Sequence, residues 1–434
     1  MRPRQVSRRD FLRKAAGVSM AAASVPYFVP GSALGGEGGA APSERITMGC
    51  IGVGSRGTGN MRSFLGRSET QILAVCDVDK NNRDKAKKTI DDKYGNGDCK
   101  TYLDFREVIS RDDIDALSLA LPDHWHSIPA IMGARYGKDI YAEKPLARTI
   151  REGRAMVEAV TRYGRVWQTG SQQRSTGNFH KACELVINGR IGKVAKVEVG
   201  LPTGRGGENT PVQPVAEGLD WDWWLGPAPW RPFTGFGRNG PHWDWRWIMD
   251  YSGGQITDWA GHHIDIAHWG LGLDRTGPIE IEGAGEYPRD GIYDTPTAYK
   301  FTCKYDNGVV ITVGNNKQIP QGTKWYGDKG WIYVNRGKLE ADPKSVLDEV
   351  IGPNEIHLYE SRDHHGNFLE CVKSRKETIA PIEIGHRSIS VGLLGEIAML
   401  TEQKLKWDPE KEVFIGNDAA NRMLSRPMRS PWHL

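Results

Sequence analysis

The sequence predicts an α/β protein in which a doubly wound parallel sheet is followed by a second, α+β domain with a largely antiparallel open sheet. Strand-like and helix-like segments alternate over residues 44–170, a pattern typical of a parallel sheet with helices on both faces. Residues 171–434 instead contain paired strand signals, including the turn sequence Asp306-Asn307-Gly308 between two alternating segments. With 434 residues, the chain is long enough for both domains.

The first strand, Ile46 to Ile51, is followed by three glycines in the spacing G-x-G-x-x-G and then by apolar residues with a helical period. Glycine at these positions permits a tight turn, lets the backbone approach a pyrophosphate and packs the helix against the strand. The N-terminus of the helix offers free N–H groups to phosphate. An ordinary turn is the alternative, since the chain has 52 glycines. The predicted phosphate-binding residues are Gly52, Gly54, Ser55, Arg56 and Gly57.

An acidic residue follows the second predicted strand. The apolar run from Gln71 to Cys76 ends at Asp77, twenty residues after Gly57. A carboxylate at this place hydrogen-bonds the adenosine ribose hydroxyls of a bound dinucleotide, and it repels a 2′-phosphate. Strand, turn, helix and acid in this order therefore predict an NAD-binding Rossmann domain that prefers NAD to NADP.

Charge and cysteine content exclude several classes of function. Residues 1–41 carry six Lys or Arg against two acidic residues, so the net charge of +3 leaves about −1 for the remainder of the chain. This remainder offers no basic surface for nucleic acid. The six cysteines are scattered and include no C-x-x-C pair, so we expect neither a disulfide framework nor a zinc or other metal site.

Residues 1–41 have the pattern of an export leader. Arg8 and Arg9 stand in the twin-arginine arrangement, and a mildly apolar, Ala-rich stretch follows from Ala15 to Val29. This stretch is short for a bilayer span, although an uncleaved anchor and a disordered basic tail are alternatives. We expect cleavage between Ala33 and Ala41, export through the twin-arginine translocase and a periplasmic or other extracytoplasmic location. Because that route carries folded proteins, a cofactor acquired in the cytoplasm can travel inside the protein.

Two short polar motifs lie where predicted strands end. Strands 116–121 and 139–142 precede Pro122-Asp123-His124-Trp125-His126 and Glu143-Lys144-Pro145, respectively. Doubly wound sheets bind ligands at the carboxyl ends of their strands, so the predicted cofactor-binding residues also include Pro122, His126, Glu143 and Lys144. The other predicted elements of this domain are strand 165–169 and helices 80–94, 104–109, 128–136 and 149–163.

The second domain begins with a predicted helix at 178–188, and its predicted strands span 193–201, 279–283, 297–305, 309–314 and 330–334. Residues 221–247 hold seven of the fifteen tryptophans. Indole rings suit the apolar faces of sugar rings. The alternative is that they hold a long loop, rich in Pro and Gly, on the domain. We expect most of them to do so and one or two to line a pocket.

A histidine and two carboxylates lie in the segment from Asp258 to Asp265, inside a predicted helix that runs to about Gly270. At about 100° per residue, Asp258, His262 and Asp265 share one face of that helix. A carboxylate one turn from a histidine fixes its tautomer and raises its basicity, as a general base requires. Taken alone, such a pair is more often structural.

In combination, these motifs resemble the glucose-fructose oxidoreductase/inositol dehydrogenase (Gfo/Idh/MocA) family. The resemblance covers nearly the whole chain from Arg45, and it implies a Rossmann domain plus a C-terminal α+β domain whose open sheet often forms subunit contacts. We therefore expect a homo-oligomer. The motifs that carry the resemblance are G-x-G-x-x-G at 52–57, Asp77, P-x-x-x-H at 122–126, Glu143-Lys144-Pro145 and D-x-x-x-H-x-x-D at 258–265.

The resemblance also implies which residues act. His262 would take the proton of the reacting hydroxyl, Asp258 would orient His262, and Lys144 would stabilise developing alkoxide charge. Additional candidates for substrate contact are Arg174, Arg246 and Asp265.

These features predict an exported, NAD-dependent oxidoreductase that acts on a secondary hydroxyl of a sugar, polyol or sugar derivative. Free NAD is scarce outside the cytoplasm, so we expect a tightly bound cofactor that is reset within the catalytic cycle. Alternating oxidation and reduction of two sugars achieves this. So does redox-neutral glycoside hydrolysis through oxidation, elimination, water addition and reduction. A non-catalytic sugar-binding protein is the second alternative, which the intact set Lys144, Asp258 and His262 disfavours.

Overall fold

Residues 44–434 are described by the structure, a computed structural model of the chain. The predicted leader at 1–41 lies outside the described residues. From Ile46 to Leu434 the chain forms one compact unit built on two sheets. One sheet is parallel and the other mostly antiparallel, so the predicted fold class is confirmed.

The first sheet is the doubly wound sheet that the alternating sequence pattern predicts. Its strands are β1 (Ile46–Ile51), β2 (Thr70–Cys76), β3 (Lys100–Tyr102), β4 (Ala116–Leu119), β5 (Asp139–Ala142) and β6 (Trp167–Thr169). They pair in parallel in the order β3-β2-β1-β4-β5-β6. The order reverses between β1 and β4, and the carboxyl ends of strands at such a switch point border the ligand-binding crevice. The helices of this part are α1 (Ser55–Leu65), α2 (Lys80–Tyr94), α3 (Phe105–Ile109), α4 (Ser127–Arg135) and α5 (Ile150–Arg162).

Local sequence accounts for the strands and for the helix ends. Every residue of β4 and β5 is buried, as a sheet covered on both faces requires. The side chains of Asp79, Asp104 and Thr149 accept hydrogen bonds from the first turns of α2, α3 and α5. Helix α1 instead begins after Gly54 without a side-chain cap, which leaves the N–H groups of its first turn available to a ligand.

The second sheet has nine strands within the described part of the chain. They are β7 (Val194–Leu201), β8 (Glu280–Glu286), β9 (Ala298–Lys304), β10 (Val310–Asn315), β11 (Gly322–Gly327), β12 (Gly330–Asn335), β13 (Lys338–Asp342), β14 (Leu405–Asp408) and β15 (Val413–Phe414). Their order is β13-β12-β11-β7-β10-β9-β8-β14-β15, with β7 and β10 parallel and the other pairs antiparallel. The helices are α6 (Gly177–Ile187), α7 (Trp221–Leu225), α8 (Pro241–Asp244), α9 (Gly254–Trp259), α10 (Asp265–Leu271), α11 (His364–Ser374), α12 (Ile382–Thr401) and α13 (Asp418–Arg422).

Helix α11, in the C-terminal part of the chain, packs against the first sheet and its helix α1. Its Phe368 is fully buried beside Phe64 of α1, with ring centroids 6.1 Å apart. Arg375, at the end of α11, donates two hydrogen bonds to the carboxylate of Asp139 in β5. The last part of the chain therefore stabilises the first sheet as well as the second.

The predicted strands and helices of the first part differ from the observed ones by at most two residues at either end. The strands β3, β11, β13, β14 and β15 were not predicted. Of these, β3, β14 and β15 are too short to carry a periodic pattern. All six cysteines are buried free thiols. Among residues 44–434, no helix combines the length and the apolar character needed to cross a membrane.

A buried ion pair joins the two parts of the protein. The guanidinium of Arg148, just before α5, donates hydrogen bonds of 3.0 and 2.8 Å to the carboxylate of Glu396 in α12. Both side chains are less than a tenth exposed. Removing one partner of such a pair leaves the other charge buried and uncompensated.

We therefore expect Glu396→Ala to lower the free energy of unfolding by about 3–5 kcal/mol. The double variant Arg148→Met/Glu396→Leu should lose much less, because it buries no lone charge. Thermal unfolding at a fixed scan rate and constant nucleotide concentration measures both. A double variant as unstable as the single one contradicts this account.

Candidate active site

A cleft of about 560 Å³ opens at the carboxyl ends of β1, β2, β4 and β5. The glycine turn lines one end of it, and residues around α9 line the other. Residues 216–250, which we call the strap, form much of the opposite wall. The volume is within the usual range for sites that bind small molecules or cofactors.

The glycine turn has the backbone geometry of a phosphate-binding turn. Gly52 has a φ of +78°, in the region that favours glycine, and a Cβ built there would lie 2.3 Å from the carbonyl oxygen of Ala120. A Cβ on Gly57 would lie 1.9 Å from the carbonyl oxygen of Gly52, so α1 can approach β1 this closely only with glycine. Together with the uncapped start of α1 after Gly54, these residues fit the pyrophosphate of a dinucleotide.

Asp77 lies at the end of β2, where its carboxylate is held by backbone groups. Its Oδ2 accepts a hydrogen bond from the N–H of Val53 and its Oδ1 accepts one from the N–H of Asp79, both at 2.9 Å. Burial raises the pKa of this carboxyl and the backbone N–H groups oppose that rise. Asp77 lines the cleft on the side where the ribose of a dinucleotide would lie.

The strap is fastened to the first sheet close to Asp77. The ring Nε2 of His242 lies 3.0 Å from Oδ2 of Asp79. Two backbone hydrogen bonds run from Lys80 to Gly218 and from Asp220 to Val78, at 2.8 and 3.0 Å. The strap therefore covers the end of the cleft at the glycine turn as well as the end near α9.

More tryptophans line the cleft than the sequence predicted. Trp221 belongs to a local core, where it stacks on Trp224 with ring centroids 4.8 Å apart, and Trp230 is 66% exposed. The expectation that one or two would reach a pocket was wrong, because aromatic rings that hold the strap together also present a surface to the cleft. The tryptophans of the strap that line it are Trp223, Trp224, Trp243, Trp245 and Trp247.

Glu143 binds the side chains that surround the glycine turn. Its Oε1 accepts hydrogen bonds from Nε of Arg56 at 2.7 Å, Nδ2 of Asn60 at 2.9 Å and Nε2 of Gln172 at 3.2 Å. The charges of Arg56 and Glu143 therefore compensate one another. Arg56, Glu143 and Pro122 all line the cleft.

His126, in contrast, does not line the cleft. Its two ring nitrogens lie 2.6 Å from the carbonyl oxygen of Pro145 and 2.8 Å from that of Leu121. The side chain thus ties the loop after β4 to the loop that carries Lys144. The structure gives His126 a positioning role in place of the predicted direct contact with the cofactor.

Lys144, Asp258 and Arg246 meet at the end of the cleft that lies near α9. Nζ of Lys144 donates hydrogen bonds of 3.0 Å to the carbonyl oxygen and to Oδ1 of Asp258. Nε of Arg246 lies 3.3 Å from the same Oδ1, and its guanidinium is 4.4 Å from the ring centroids of both Trp243 and Trp245. Burial raises the pKa of Asp258, but the charges of Lys144 and Arg246 outweigh it and hold this pKa below its ordinary value.

His262 also lines the cleft, but its local structure differs from the prediction. The predicted single helix is interrupted by a π turn at Ala260–Ile264, between α9 and α10. A π turn is wider than an α turn, so the spacing of about 100° per residue does not hold across it. Asp258 bonds Lys144 and Arg246, and Nδ1 of His262 has no hydrogen-bond partner among the described residues. The predicted pairing of Asp258 with His262 is therefore wrong.

The surroundings of His262 keep its ring neutral. Burial is the main cause that lowers its pKa well below 6.5, and the positive charges of Lys144 and Arg336 lower it further. A neutral imidazole is able to accept a proton.

Arg174 and Asp265 form a buried ion pair away from the lining of the cleft. Nε and Nη2 of Arg174 donate hydrogen bonds of 2.6 and 2.9 Å to the carboxylate of Asp265, and Nη2 also binds Asp274 at 2.7 Å. Both side chains of the pair are 1% exposed. The structure thus gives these residues a role in holding α10 in place, whereas Arg246 is at the cleft as expected.

Several residues of the cleft carry no signal in the sequence. Arg336 lies in the hairpin turn between β12 and β13, and Trp259 and Gln255 belong to α9. Only the fold brings that hairpin to the cleft. Within residues 44–434, no group of three or more His, Cys, Asp or Glu side chains is placed to hold a metal ion.

Comparison with known sequences identifies the family. Residues 46–171 match the Gfo/Idh/MocA model described as "oxidoreductase family, NAD-binding Rossmann fold". Residues 178–434 match the one described as "oxidoreductase family, C-terminal alpha/beta domain". The chain belongs to the Gfo/Idh/MocA oxidoreductase family. It is accordingly an enzyme of the oxidoreductase class with an NAD-binding Rossmann domain.

Among curated proteins, this Gfo/Idh/MocA chain is similar to glycosyl hydrolases, to an oxidoreductase and to a hydratase. It is 34% identical over 116 residues to a glycosyl hydrolase family 109 protein of Saccharopolyspora erythraea, a match that covers 25% of this chain and 24% of that protein. It is 21% identical over 350 residues to the uncharacterized oxidoreductase YrbE of Bacillus subtilis, covering 77% and 89%. The matches to the glycosyl hydrolases thus span about a quarter of those proteins' length.

Solved structures share the fold of this family member. The aldose-aldose oxidoreductase from Caulobacter crescentus, complexed with glycerol, superposes with a TM-score of 0.60 at 18% identity and covers 83% of this chain and 99% of its own. The WlbA dehydrogenase from Bordetella pertussis, in complex with NADH and UDP-GlcNAcA, gives 0.60 at 16% identity, covering 84% and 99%. A levoglucosan dehydrogenase in complex with NADH and levoglucosan gives 0.59 at 17%, covering 83% and 99%.

The glycine turn provides a sharp test of the cofactor site. Gly57→Ala places a methyl group on the carbonyl oxygen of Gly52, whereas a Cβ on Gly59, in the same helix, meets nothing within 4 Å. We expect Gly57→Ala to weaken NADH binding at least about a hundredfold, since the turn has to open by more than an ångström, a displacement that is costly in a close-packed interior. Gly59→Ala should bind NADH normally and stabilise α1 slightly. Equal NADH affinities in a fluorescence titration would contradict the assignment.

Proposed function

We propose that this protein is an NAD-dependent oxidoreductase that acts on a secondary hydroxyl of a sugar, polyol or sugar derivative. The observation that carries the proposal is the meeting of Lys144, Asp258 and His262 at the reacting end of a cleft whose other end fits a dinucleotide. The aromatic wall of the strap supports a carbohydrate, because indole faces pack on the apolar faces of sugar rings.

Oxidation of a secondary alcohol removes a proton from oxygen and a hydride from carbon. Bound NAD supplies the acceptor for the hydride. The neutral ring of His262 takes the hydroxyl proton, and the ammonium of Lys144 stabilises the negative charge that develops on the oxygen. Asp258 holds Lys144 and Arg246 in place through its carboxylate. Its role in this proposal is thus to orient the two cations.

We also propose that the cofactor is NAD in preference to NADP and that it is tightly bound. Asp77 at the ribose end supports NAD over NADP, because a carboxylate repels a 2′-phosphate. The fastening of the strap beside Asp77 supports a tightly bound cofactor, since the strap covers this end of the cleft. Retention of this kind fits the proposed export of the folded protein by the twin-arginine translocase to an extracytoplasmic location. We also propose that the protein forms a homo-oligomer with contacts through the open sheet of its second domain.

A redox-neutral glycoside hydrolase is the second candidate. It is supported by the similarity to glycosyl hydrolase family 109 proteins and, at 28% identity over 152 residues, to the 2,7-anhydro-N-acetylneuraminate hydratase of Mediterraneibacter gnavus. Oxidation at C3 of a glycoside acidifies the C2 proton, so the aglycone leaves by elimination and water adds before C3 is reduced again. Release of p-nitrophenol from p-nitrophenyl glycosides without added nucleotide favours this candidate. A non-catalytic sugar-binding protein is disfavoured, because the reacting residues are intact.

Loss of either reacting side chain should stop chemistry and spare the cofactor site. We expect Lys144→Ala and His262→Ala to bind NADH within about threefold of wild type and to lose at least about a hundredfold in turnover, the usual contribution of one acid or base group. Lys88→Ala, at a largely exposed lysine of α2, is the matched control and should retain full turnover. Near-normal activity of the Lys144 or His262 variant would dispose of the proposed roles.

The pH dependence of kcat/KM tests the protonation state of His262. As the base it must be neutral, and its pKa is lowered well below 6.5. Activity should therefore persist as the pH falls through 6.5 and decline only at lower pH. A profile whose acidic limb lies above pH 6.5 argues against His262 as the base.

A further inference from the structure

The reacting end of the cleft carries more positive than negative charge. Lys144 and Arg246 share the single carboxylate of Asp258. Arg336 also lines the cleft, and no carboxylate of the described residues lies within 4.0 Å of its guanidinium. His262 is neutral, and the nearby charge of Arg56 is compensated by Glu143. This end therefore holds three further cations, Lys144, Arg246 and Arg336, against one further anion, Asp258. The oxidised nicotinamide ring of NAD adds one more positive charge.

Arg336 is held by an aromatic ring in place of a counter-ion. Its guanidinium lies 4.7 Å from the ring centroid of Trp259, the residue that follows Asp258. The chain around it is a tight hairpin turn in which Gly337 has a φ of +71°. Burial and the nearby charge of Arg56 lower the pKa of Arg336, while Asp258 opposes that shift. A cation placed among other cations is unfavourable until a negative group arrives.

We propose that the substrate of this enzyme is an acidic sugar, a uronic acid or its glycoside, and that Arg336 is the residue that binds its carboxylate. The proposal rests on the carbohydrate oxidoreductase function proposed above and names the substrate class. A guanidinium fixed against an aromatic ring presents parallel N–H groups, which match a planar carboxylate in two hydrogen bonds. A phosphate dianion is the rival anion, and the test below includes it.

The test compares matched neutral and acidic sugars. Methyl β-D-glucoside is paired with methyl β-D-glucuronide, the corresponding galactosides form a second pair, and glucose 6-phosphate serves as the phosphate probe. Binding to the NADH-loaded protein is followed by the fluorescence of the tryptophans in the cleft, and kcat/KM is measured separately with NAD. We expect wild type to favour a uronide over its neutral partner at least about tenfold in both measurements.

Variants at Arg336 test whether this residue causes the preference for a uronide over its neutral partner. Arg336→Gln should reduce the uronide-to-neutral ratio by about ten- to a hundredfold, because it removes a charged hydrogen-bond donor pair. Arg336→Lys should restore part of the ratio, since it keeps the charge and loses the two-pronged geometry. The matched control is Lys338→Gln, which removes the same charge from the same hairpin at a side chain that does not line the cleft.

Four outcomes overturn the proposal. In the first, wild type binds a uronide no more tightly than its neutral partner, and in the second it prefers glucose 6-phosphate to the uronides. In the third, Arg336→Gln leaves the uronide-to-neutral ratio unchanged. In the fourth, that variant binds NADH more weakly while the uronide-to-neutral ratio stays intact. Because binding is measured without turnover, failure of the proposed carboxylate site can be distinguished from failure of the proposed oxidoreductase function. Uronide binding that depends on Arg336, without oxidation of any sugar, contradicts the oxidoreductase function and leaves the carboxylate site standing.

Discussion

The reacting end of the cleft depends on the two ion pairs that the carboxylate of Asp258 forms with Lys144 and Arg246. Lys144 follows β5, Arg246 belongs to the strap, and both side chains donate hydrogen bonds to Asp258 of α9. One carboxylate therefore links the first sheet, the strap and α9. Without it, two cations would face each other beside a neutral histidine in a buried place. The positive charges of Lys144 and Arg246 hold the pKa of Asp258 below its ordinary value against the effect of burial. The pKa of His262 is lowered mainly by burial, and the charge of Lys144 lowers it further.

Some buried polar atoms at the cleft, or directly next to residues that line it, lack a hydrogen-bond partner, as do others in the core of the described residues. Nδ1 of His262, Oγ of Ser171 and Oδ1 of Asp123 are buried and have no hydrogen-bond partner among the described residues. Burial raises the pKa of Asp123 to about 7, although Ser252 donates a hydrogen bond to its other oxygen. Each such group costs about 1–3 kcal/mol of stability. Buried pairs elsewhere, such as Arg148 with Glu396 and Arg174 with Asp265, are by contrast matched on both sides.

The parts of the structure that could be predicted from the sequence are those fixed by local pattern and by general topology. The glycine spacing and the position of Asp77 follow from the way a Rossmann turn is built, and the strand ends that carry Glu143 and Lys144 meet because parallel strands end at the same edge. The helix of Lys80–Tyr94 was predicted to the residue, and the structure shows local features at both of its ends, a side-chain cap at Asp79 and an αL glycine at Gly95.

The failures concern contacts between distant parts of the chain. Nothing near residue 258 reveals that its carboxylate binds Lys144, since that contact spans 114 residues. The π turn at Ala260–Ile264 has no reliable sequence signature, so an ideal helical spacing was assumed. Arg336 is brought to the cleft only by the order of strands in the second sheet.

The most direct test of the account is a single-turnover experiment with a sugar deuterated at its oxidised carbon. The protein loaded with NAD is mixed rapidly with the uronides and their neutral partners, and the near-ultraviolet absorbance of NADH is followed. If hydride passes from the sugar to bound NAD, this absorbance rises within one turnover and deuterium slows the rise, both in net oxidation and in the redox-neutral route. Substrate conversion without the absorbance change and without an isotope effect would contradict hydride transfer from the sugar to bound NAD.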